Sequence, residues 1–262
     1  MDLELAYGAI KAWFKDIDWL ANAIGILTPL VALGLLAYRL RARFFGPSSF
    51  TAIATSRIAP AWGLDAAKAV SEIAIVDDKP EDFPIPELRK AAYNIRVYKQ
   101  VSQNDIPRLA RYDVVFLDIH GIVRDDIETG GLKVIAQLRA LNESQKICAV
   151  SQKTFDPTAT AFFKQADDVK KKPMTAQECV DTIDLFSREK LDPSRLARQI
   201  DHAISHLSVW KRRGLLVSLQ KFALSSLSPY DYHGFDDVLG PKDLGHRLAV
   251  IDFIRVLRHA TR

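Results

Sequence analysis

Apolar positions follow two different patterns along this chain of 262 residues. Residues 19–38 form one run of twenty residues in which no side chain is charged. Between residues 72 and 190, short apolar runs alternate instead with stretches whose apolar positions recur at helical spacing. A long uncharged run is typical of a helix that spans a membrane, and the alternation is typical of a sheet with connecting helices.

The alternating part predicts a fold of the α/β class. Strands are predicted at 72–77, 94–99, 113–118, 146–151 and 167–171. Helices are predicted at 86–93, about 104–111, 131–143, about 157–165 and 175–190. Thr175 and Glu178 stand at the spacing of a capping box at the start of the last helix. Because strands that alternate with helices pair in parallel, the prediction is a doubly wound five-stranded parallel sheet.

Two further segments flank this region. Residues 46–71 are rich in small residues and contain two prolines, which predicts a linker with one short helix around Leu64–Val70. Residues 191–262 break the alternation, since Asp192 is a candidate N-cap, Pro193 follows it, and the apolar spacing after them is helical. The prediction for this part is a C-terminal α-helical module.

The uncharged run has the length and flanks of a transmembrane helix. As a helix rising ~1.5 Å per residue, residues 19–38 span roughly 30 Å, the thickness of the hydrocarbon core of a bilayer. The segment before the run is net acidic, and three arginines follow it: Arg39, Arg41 and Arg43. By the positive-inside rule, we expect residues 1–45 to anchor the chain in the cell inner (cytoplasmic) membrane as a single-pass protein, with the rest in the cytoplasm.

Two other interpretations of this run are a signal peptide and a buried core helix. A signal peptide begins with basic residues and ends in small ones, whereas a net acidic segment precedes this run and arginines follow it. In a core helix Pro29 would be strongly destabilising, but it is tolerated in a membrane span.

The composition is that of a folded protein in a reducing compartment. Hydrophobic residues make up 48% of the chain and charged residues 26%, which excludes wholesale disorder. Cys148 and Cys179 are the only cysteines, and they match neither a metal site nor a disulfide framework. The net charge is +4, and residues 190–262 carry 12 basic and 7 acidic residues. No recognition helix followed by a basic wing is visible there, so we do not expect sequence-specific DNA binding.

The candidate chemistry lies at the ends of the predicted strands. Five polar residues follow or end them: Asp77 and Asp78 (first strand), Asp118 (third), Ser151 (fourth) and Lys172 (fifth). Because parallel strands present their carboxyl ends at one edge of the sheet, we expect these side chains to meet there. Acidic residues after a strand are also common in ordinary loops, which is the alternative for Asp77 and Asp78 taken alone.

A cluster of three carboxylates is repulsive unless a hard cation neutralises it, and Mg²⁺ with oxygen ligands does so. A bound Mg²⁺ also holds a phosphoryl oxygen, while a lysine and a hydroxyl contact the other oxygens. These residue types therefore predict a phosphoryl-transfer site with Mg²⁺ as the cofactor. Asp118 is the predicted nucleophile, which receives the phosphoryl group as an acyl phosphate.

At these motifs the chain resembles the receiver domain of response regulators in two-component signalling, over about residues 72–190. The resemblance rests on four segments in the order of that family: "IVDDKP", "VVFLD", "ICAVS" and "VKKKP". It implies a flavodoxin-like sheet. It also implies that Asp78 ligates Mg²⁺ directly and Asp77 through water, and that Asp118 and the backbone carbonyl of His120 complete the protein ligands.

The same resemblance implies that Ser151 and Lys172 contact the phosphoryl group and that Pro173 follows a cis peptide bond. The chain departs from the family at the residues that couple the site to the rest of the domain. Val169 stands where an aromatic residue is usual and Gln152 where a small residue is usual, and the loop after the acceptor lacks the usual Met-Pro.

The segment "FLDIHGIV" also resembles the first motif of haloacid-dehalogenase-type phosphatases. Those enzymes carry a second aspartate at the position of His120, and they place an acid pair after the lysine, whereas Asp77 and Asp78 come first here. The phosphatase is therefore the weaker alternative.

The sequence thus predicts a membrane-anchored, response-regulator-like signalling protein rather than an enzyme. A histidine kinase or a small phosphodonor would phosphorylate Asp118, and a protein partner would receive the signal through the receiver face or the C-terminal helices. The alternative is a pseudo-receiver, which acts as a scaffold in a membrane complex and is not phosphorylated. Formation of a Mg²⁺-dependent acyl phosphate distinguishes the two.

Overall fold

The computed structural model describes residues 27–36, 49–124, 126, 129–152, 160–239 and 243–261. The chain divides into two units, Met1–Pro47 and Ser48–Arg262. In the first unit the described residues, 27–36, are helical (α1). Within the described ranges, no helix has both the length and the apolar character needed to cross a membrane. Half of the run predicted to span the membrane, residues 19–38, lies outside those ranges, so the membrane helix stays a prediction.

The second unit is built on a sheet of five parallel strands. These are β1 (Glu72–Val76), β2 (Asn94–Tyr98), β3 (Val114–Asp118), β4 (Lys146–Ser151) and β5 (Asp168–Lys171). The strand order is β2-β1-β3-β4-β5. This is the doubly wound order of flavodoxin-like folds, so the predicted fold class is confirmed for the sheet. Each predicted strand agrees with the structure to within one residue at either end.

The burial of each strand follows from its place in the sheet. β1, β3 and β4 lie inside the sheet and are covered on both faces, so nearly all of their residues are buried. Successive side chains alternate between the two faces: Ile73 and Ile75 pack on one, and Ala74 and Val76 on the other. The edge strand β5 alternates between half-buried and exposed residues.

Helices cover both faces of the sheet and form the C-terminal part. They are α2 (Phe50–Ile53), α3 (Leu64–Val70), α4 (Ile85–Lys90), α5 (Ile106–Leu109), α6 (Gly130–Leu141), α7 (Thr160–Phe163), α8 (Ala176–Lys190), α9 (Pro193–Ala203), α10 (Val209–Ala223) and α11 (Leu244–Ala260). Side chains of α5, α6 and α7 pack on one face, and those of α4 and α8 on the other. The predicted capping box of Thr175 and Glu178 is present at the start of α8.

The last three helices form a further hydrophobic core together with residues 50–58. The segment 46–71 is predicted as a linker, and its predicted short helix is confirmed as α3. The structure corrects the linker prediction for the part before α3, because residues 50–61 are also helical and Phe50, Ile53 and Ile58 are fully buried. Their recurrence on one face of a helix is the apolar signal that the small residues and prolines obscure.

Asp201 on α9 holds the start of α2 in this core. Its carboxylate accepts hydrogen bonds from the backbone N–H groups of Phe50 and Thr51, at 3.0 and 2.9 Å. The Thr51 hydroxyl donates to the same carboxylate at 2.7 Å. Helix α9 itself begins as predicted, since Asp192 accepts the N–H of Ser194 at 2.8 Å.

A buried network of charges joins α11 to the edge of the sheet at which the strands begin, called the amino edge below. Arg255 donates to both carboxylate oxygens of Asp113, at 3.0 and 2.8 Å, and to Asp252 at 3.0 Å. Asp113 also accepts the N–H of Glu72 at 2.8 Å, and Lys190 pairs with Asp252 at 2.9 Å. Burial lowers the pKa of the Arg255 guanidinium, but the carboxylates of Asp113 and Asp252 raise it by more. The C-terminal helices are therefore attached to the sheet through charges that water does not reach.

We expect Arg255→Met to lower the free energy of unfolding of a fragment spanning residues 48–262 by about 3–5 kcal/mol, because the buried carboxylate of Asp113 loses its partner. Urea unfolding followed by circular dichroism measures this difference. Lys133→Ala is the matched control, since its ammonium pairs with Asp126 on a side chain that is 64% exposed. Equal unfolding midpoints for the two variants would contradict the attachment of α11 by this network.

Candidate functional site

The two adjacent aspartates after β1 lie in different environments. Asp77 is fully buried, and its N–H continues the sheet by donating to the carbonyl of Tyr98 at 3.0 Å. One oxygen of the Asp77 carboxylate accepts the backbone N–H of Lys79 at 2.8 Å. Asp78 is exposed. Successive side chains of an extended strand point to opposite sides, so one carboxylate enters the protein while its neighbour stays at the surface.

The side chain of Lys172 connects the aspartates at the ends of β1 and β3. Its ammonium donates to Asp118 at 2.6 Å and to Asp77 at 2.7 Å, and all three side chains are buried. The other oxygen of the Asp118 carboxylate accepts the backbone N–H of Ile119 at 2.7 Å. The predicted cis peptide bond is present between Lys172 and Pro173. Charge-assisted hydrogen bonds of this length fix both carboxylates and the lysine in one arrangement.

Burial dominates the electrostatics of the Asp77 carboxylate. It raises the pKa of the Asp77 carboxyl to about 6, and the hydrogen bonds from Lys172 and Lys79 only partly oppose this. Burial lowers the pKa of the Lys172 ammonium, but its hydrogen bonds to Asp118 and Asp77 raise it by more. With Asp78 included, three carboxylates face one ammonium, so the fully ionised cluster has a charge of −2.

The carboxylates fit a divalent metal ion. Within the part of the chain that the structure describes, Asp77, Asp78 and Asp118 are the one group of side chains with suitable geometry, and one oxygen from each lies within 4.8 Å of the others. The donors are all carboxylate oxygens, which favours a hard cation such as Mg²⁺ over zinc or copper. The charge of −2 matches such an ion. An acidic triad of this kind is typical of the Mg²⁺ site of receiver domains.

Gly121 lies against this triad. Its φ angle is +75°, and a Cβ atom at this position would lie 2.8 Å from Oδ2 of Asp78. Glycine adopts this left-handed backbone without strain and leaves the Asp78 carboxylate its present position. Gly121 is not among the predicted site residues, although a glycine three residues after the acceptor in "DIHG" is a local signal for a tight turn.

The remaining predicted residues line one cavity of about 210 Å³ with Asp78, Asp118 and Lys172. Ser151 and His120 are both on its wall, as are two residues that the sequence analysis did not assign to the site, Lys79 and Gly121. The structure therefore brings the predicted residues together at the carboxyl edge of the sheet. Their individual roles in metal binding and phosphoryl transfer stay predictions.

The loop after Asp118 is shaped by a close approach of α6. A Cβ atom on Gly131 would lie 2.5 Å from the carbonyl oxygen of Ile119 and 2.8 Å from that of Asp118. Further along, Val123 forms an isolated parallel bridge with Val101. Both contacts join residues that are distant along the chain, so local patterns do not predict them.

Two of the departures from the receiver pattern, Gln152 and Val169, lie at different places: Gln152 at the cavity and Val169 on the edge strand. Gln152 lines it, and its side-chain amide is 3.5 Å from the carboxylate of Asp82. Val169 is 44% exposed on the edge strand β5. Neither side chain interrupts the contacts among the aspartates and Lys172.

Comparison of the sequence with protein-family models and with curated proteins gave no match. Among solved structures, similarity was found to a response regulator receiver domain protein (CheY-like) from Methanospirillum hungatei JF-1, at 14% identity and a TM-score of 0.37, over 46% of this chain and 95% of that one. A response regulator protein from Burkholderia pseudomallei with a phosphorylated aspartic acid, calcium ion and citrate matches at 16% identity and a TM-score of 0.36. This match covers 58% of this chain and 92% of that one. The response regulator StyR matches at 15% identity and a TM-score of 0.40, over 72% of this chain and 97% of that one. Values this low carry no statement about activity.

The five-stranded sheet has a receiver-like fold, and an acidic pocket formed by Asp77, Asp78 and Asp118 lies at its edge. The strand order is 2-1-3-4-5, and the acidic triad lies at the carboxyl edge of that sheet. The buried lysine and the cis peptide bond that follows it complete the arrangement that the sequence motifs predict.

We expect Gly121→Ala to weaken Mg²⁺ binding, because a Cβ atom would displace the Asp78 carboxylate and the left-handed backbone would cost about 1–2 kcal/mol. Isothermal titration calorimetry of the fragment 48–262 with Mg²⁺ measures the change in affinity. Gly214→Ala serves as the control, since a Cβ atom at that position meets nothing within 4 Å. Mg²⁺ affinity equal to wild type in a folded Gly121→Ala variant would contradict a metal site at Asp78.

Proposed function

We propose that this chain is a response-regulator-like signalling protein in which Asp118 accepts a phosphoryl group with Mg²⁺ as cofactor. The observation that carries the proposal is the buried Lys172 ammonium, in contact with Asp118 at 2.6 Å and with Asp77 at 2.7 Å. In phosphoryl transfer, such an ammonium neutralises charge on the acceptor and on the group it receives. The chain acts as a phosphoacceptor and not as an enzyme that turns over a substrate.

The acceptor carboxylate is held for attack on phosphorus. One oxygen of Asp118 forms the new bond to phosphorus, while the bond from phosphorus to the donor breaks and the leaving group departs with the electron pair. The broken bond is phosphorus–nitrogen for a phosphohistidine of a kinase and phosphorus–oxygen for a small acyl phosphate. The N–H of Ile119, at 2.7 Å, fixes the orientation of the carboxylate during this step.

Other residues of the cavity complete the site. Asp77, Asp78 and Asp118 would hold the Mg²⁺ ion, together with the backbone carbonyl of His120 as the resemblance implies. When bound, the ion supplies positive charge to the carboxylates and to the phosphoryl oxygens. Ser151 lines the same cavity, and in this proposal its hydroxyl donates a hydrogen bond to the phosphoryl group.

A histidine kinase or a small phosphodonor supplies the phosphoryl group, and a protein partner receives the signal. Output through the C-terminal helices is supported by the strand β3. The strand β3 ends at Asp118. Asp113, the residue directly before the start of β3, is paired with Arg255 of α11. The face around β5, with its exposed Val169, is the other candidate for the partner.

We further propose that residues 19–38 cross the inner membrane and leave the receiver-like domain in the cytoplasm. The support is the uncharged length of this run and the arginines that follow it. Phosphorylated kinases and small phosphodonors are cytoplasmic, so this orientation is the one that the proposed chemistry requires.

Incubation of the fragment 48–262 with Mg²⁺ and acetyl phosphate is expected to add one phosphoryl group, detected by intact mass and mapped to Asp118. Asp118→Asn removes the nucleophile and should abolish labelling. Asp181→Asn, on an exposed turn of α8, should label as wild type does. Lys172→Ala should label more weakly, because the acceptor loses its charge-assisted contact.

The rival functions give different results in the same assay. A phosphatase would release many equivalents of inorganic phosphate from a phosphomonoester. A scaffold would give no labelling at all, so wild-type fragment that is folded, saturated with Mg²⁺ and still unlabelled would overturn the phosphoacceptor proposal in favour of the pseudo-receiver.

Charged substitutions within residues 19–38 test whether this segment crosses the membrane. Leu30→Arg combined with Leu33→Arg places two charges near the middle of the run, where each opposes insertion by about 2.5–3.5 kcal/mol. We expect this variant to leave the membrane fraction after an alkaline carbonate wash, whereas Leu30→Ala with Leu33→Ala should remain there. A green fluorescent protein fused after Arg262 should fluoresce in the cytoplasm. A periplasmic readout from that fusion would refute the orientation.

A further inference from the structure

A second cavity, of about 250 Å³, lies at the opposite edge of the sheet from Asp118. Its walls come from the starts of β1 and β2, from the end of α5 and from the short helix Pro229–Asp231. The lining residues are Glu72, Asn94, Arg96, Arg108, Arg111, Tyr112 and Tyr230. None of these residues belongs to the acidic pocket, so the two cavities are separate sites.

Three arginines line this cavity. Within the residues that the structure describes, Arg96, Arg108 and Arg111 form no ion pair with an acidic side chain, and all three are exposed to solvent. Glu72 is the one acidic residue on the wall, so the ionised groups sum to +2. Like charges that converge in this way repel each other, and a bound anion removes the repulsion.

Aromatic contacts hold part of the cavity in place. The guanidinium of Arg111 lies over the ring of Tyr230, at 4.8 Å from its centroid, which places this arginine against the C-terminal part of the chain. The hydroxyl of Tyr112 is hydrogen-bonded to that of Tyr98 at 2.9 Å. Burial and this hydrogen bond raise the pKa of Tyr98 to about 12, and the charges of Arg108 and Arg96 oppose the rise. Two of the guanidinium groups therefore act on one and the same hydroxyl.

The chemistry of the wall defines the class of ligand. Guanidinium groups match the oxygens of phosphate in paired hydrogen bonds, and tyrosine hydroxyls add neutral donors. A charge of +2 balances a phosphate dianion. The volume lies below the range of about 300–1,000 Å³ that is typical of sites for drug-sized ligands, so the cavity suits a phosphate or diphosphate group and not a whole nucleotide.

We propose that this cavity is a binding site for a phosphate group, carried by a small soluble molecule or by a lipid headgroup. A phosphate bound here contacts Arg96 on β2, Arg108 on α5 and Arg111 beside Tyr230. It thereby bridges the receiver-like domain and the loop before α11. The proposal does not depend on phosphorylation of Asp118, because it uses none of the residues of the acidic pocket.

The test uses the full chain in a non-ionic detergent, with EDTA present so that no divalent cation occupies the acidic pocket. Inorganic pyrophosphate and the short-chain lipid dioctanoyl phosphatidic acid are titrated separately by isothermal titration calorimetry. We expect saturable binding of at least one of them. Arg108→Gln and Arg111→Gln should each weaken that binding by about tenfold, because each removes a charge-assisted contact.

Arg89→Gln is the matched control, because it removes an exposed arginine of α4 that does not line the cavity. Its affinity should equal that of wild type. Circular dichroism spectra of the variants check that the fold is retained. Binding of pyrophosphate alone assigns the site to a soluble ligand, and binding of the lipid alone assigns it to a headgroup. Absence of binding for both probes, or equal losses in all three variants, would overturn the proposal.

Discussion

The buried ammonium of Lys172, between the carboxylates of Asp77 and Asp118, is the contact on which the acidic edge of the sheet depends. It joins the ends of three strands, because Asp77 follows β1, Asp118 ends β3 and Lys172 follows β5. Two buried carboxylates without a cation between them would strongly destabilise this edge. The lysine compensates one charge and leaves the ionised triad with Asp78 at −2. The same arrangement is therefore stable and still favourable for a divalent cation.

The two edges of the sheet carry different kinds of charge, and β3 connects them. Asp113 stands before this strand and is paired with Arg255 of α11, while Asp118 ends it in the acidic pocket. A strand of five residues at ~3.3 Å per residue separates the two by roughly 17 Å. Asp118 and the contact that holds α11 therefore lie at the two ends of one strand, and the C-terminal helices share no residue with the acidic pocket.

Much of the domain follows from local patterns. The apolar runs of β1, β3 and β4 predict strands, because inner strands of a parallel sheet are buried on both faces and read as continuous apolar segments. Thr175 with Glu178, and Asp192 before Pro193, mark helix starts through bonds that span three residues or fewer. The meeting of Asp77, Asp118 and Lys172 follows as well, since parallel strands of alternating α/β order present their carboxyl ends together.

The sequence by itself determined the class of the fold and the aspartates and lysine of the acidic pocket, because both depend on local periodicity and on a topology with few alternatives. Only the tertiary structure decided that Asp77 is buried and Asp78 exposed, and that Lys172 contacts two carboxylates at once. It also decided that Phe50 belongs to the core of the C-terminal helices, held by Asp201, and that three arginines converge at the amino edge. Asp201 and Phe50 are 151 residues apart along the chain. Contacts over such separations depend on how whole elements pack, and the pattern of neighbouring residues does not contain them.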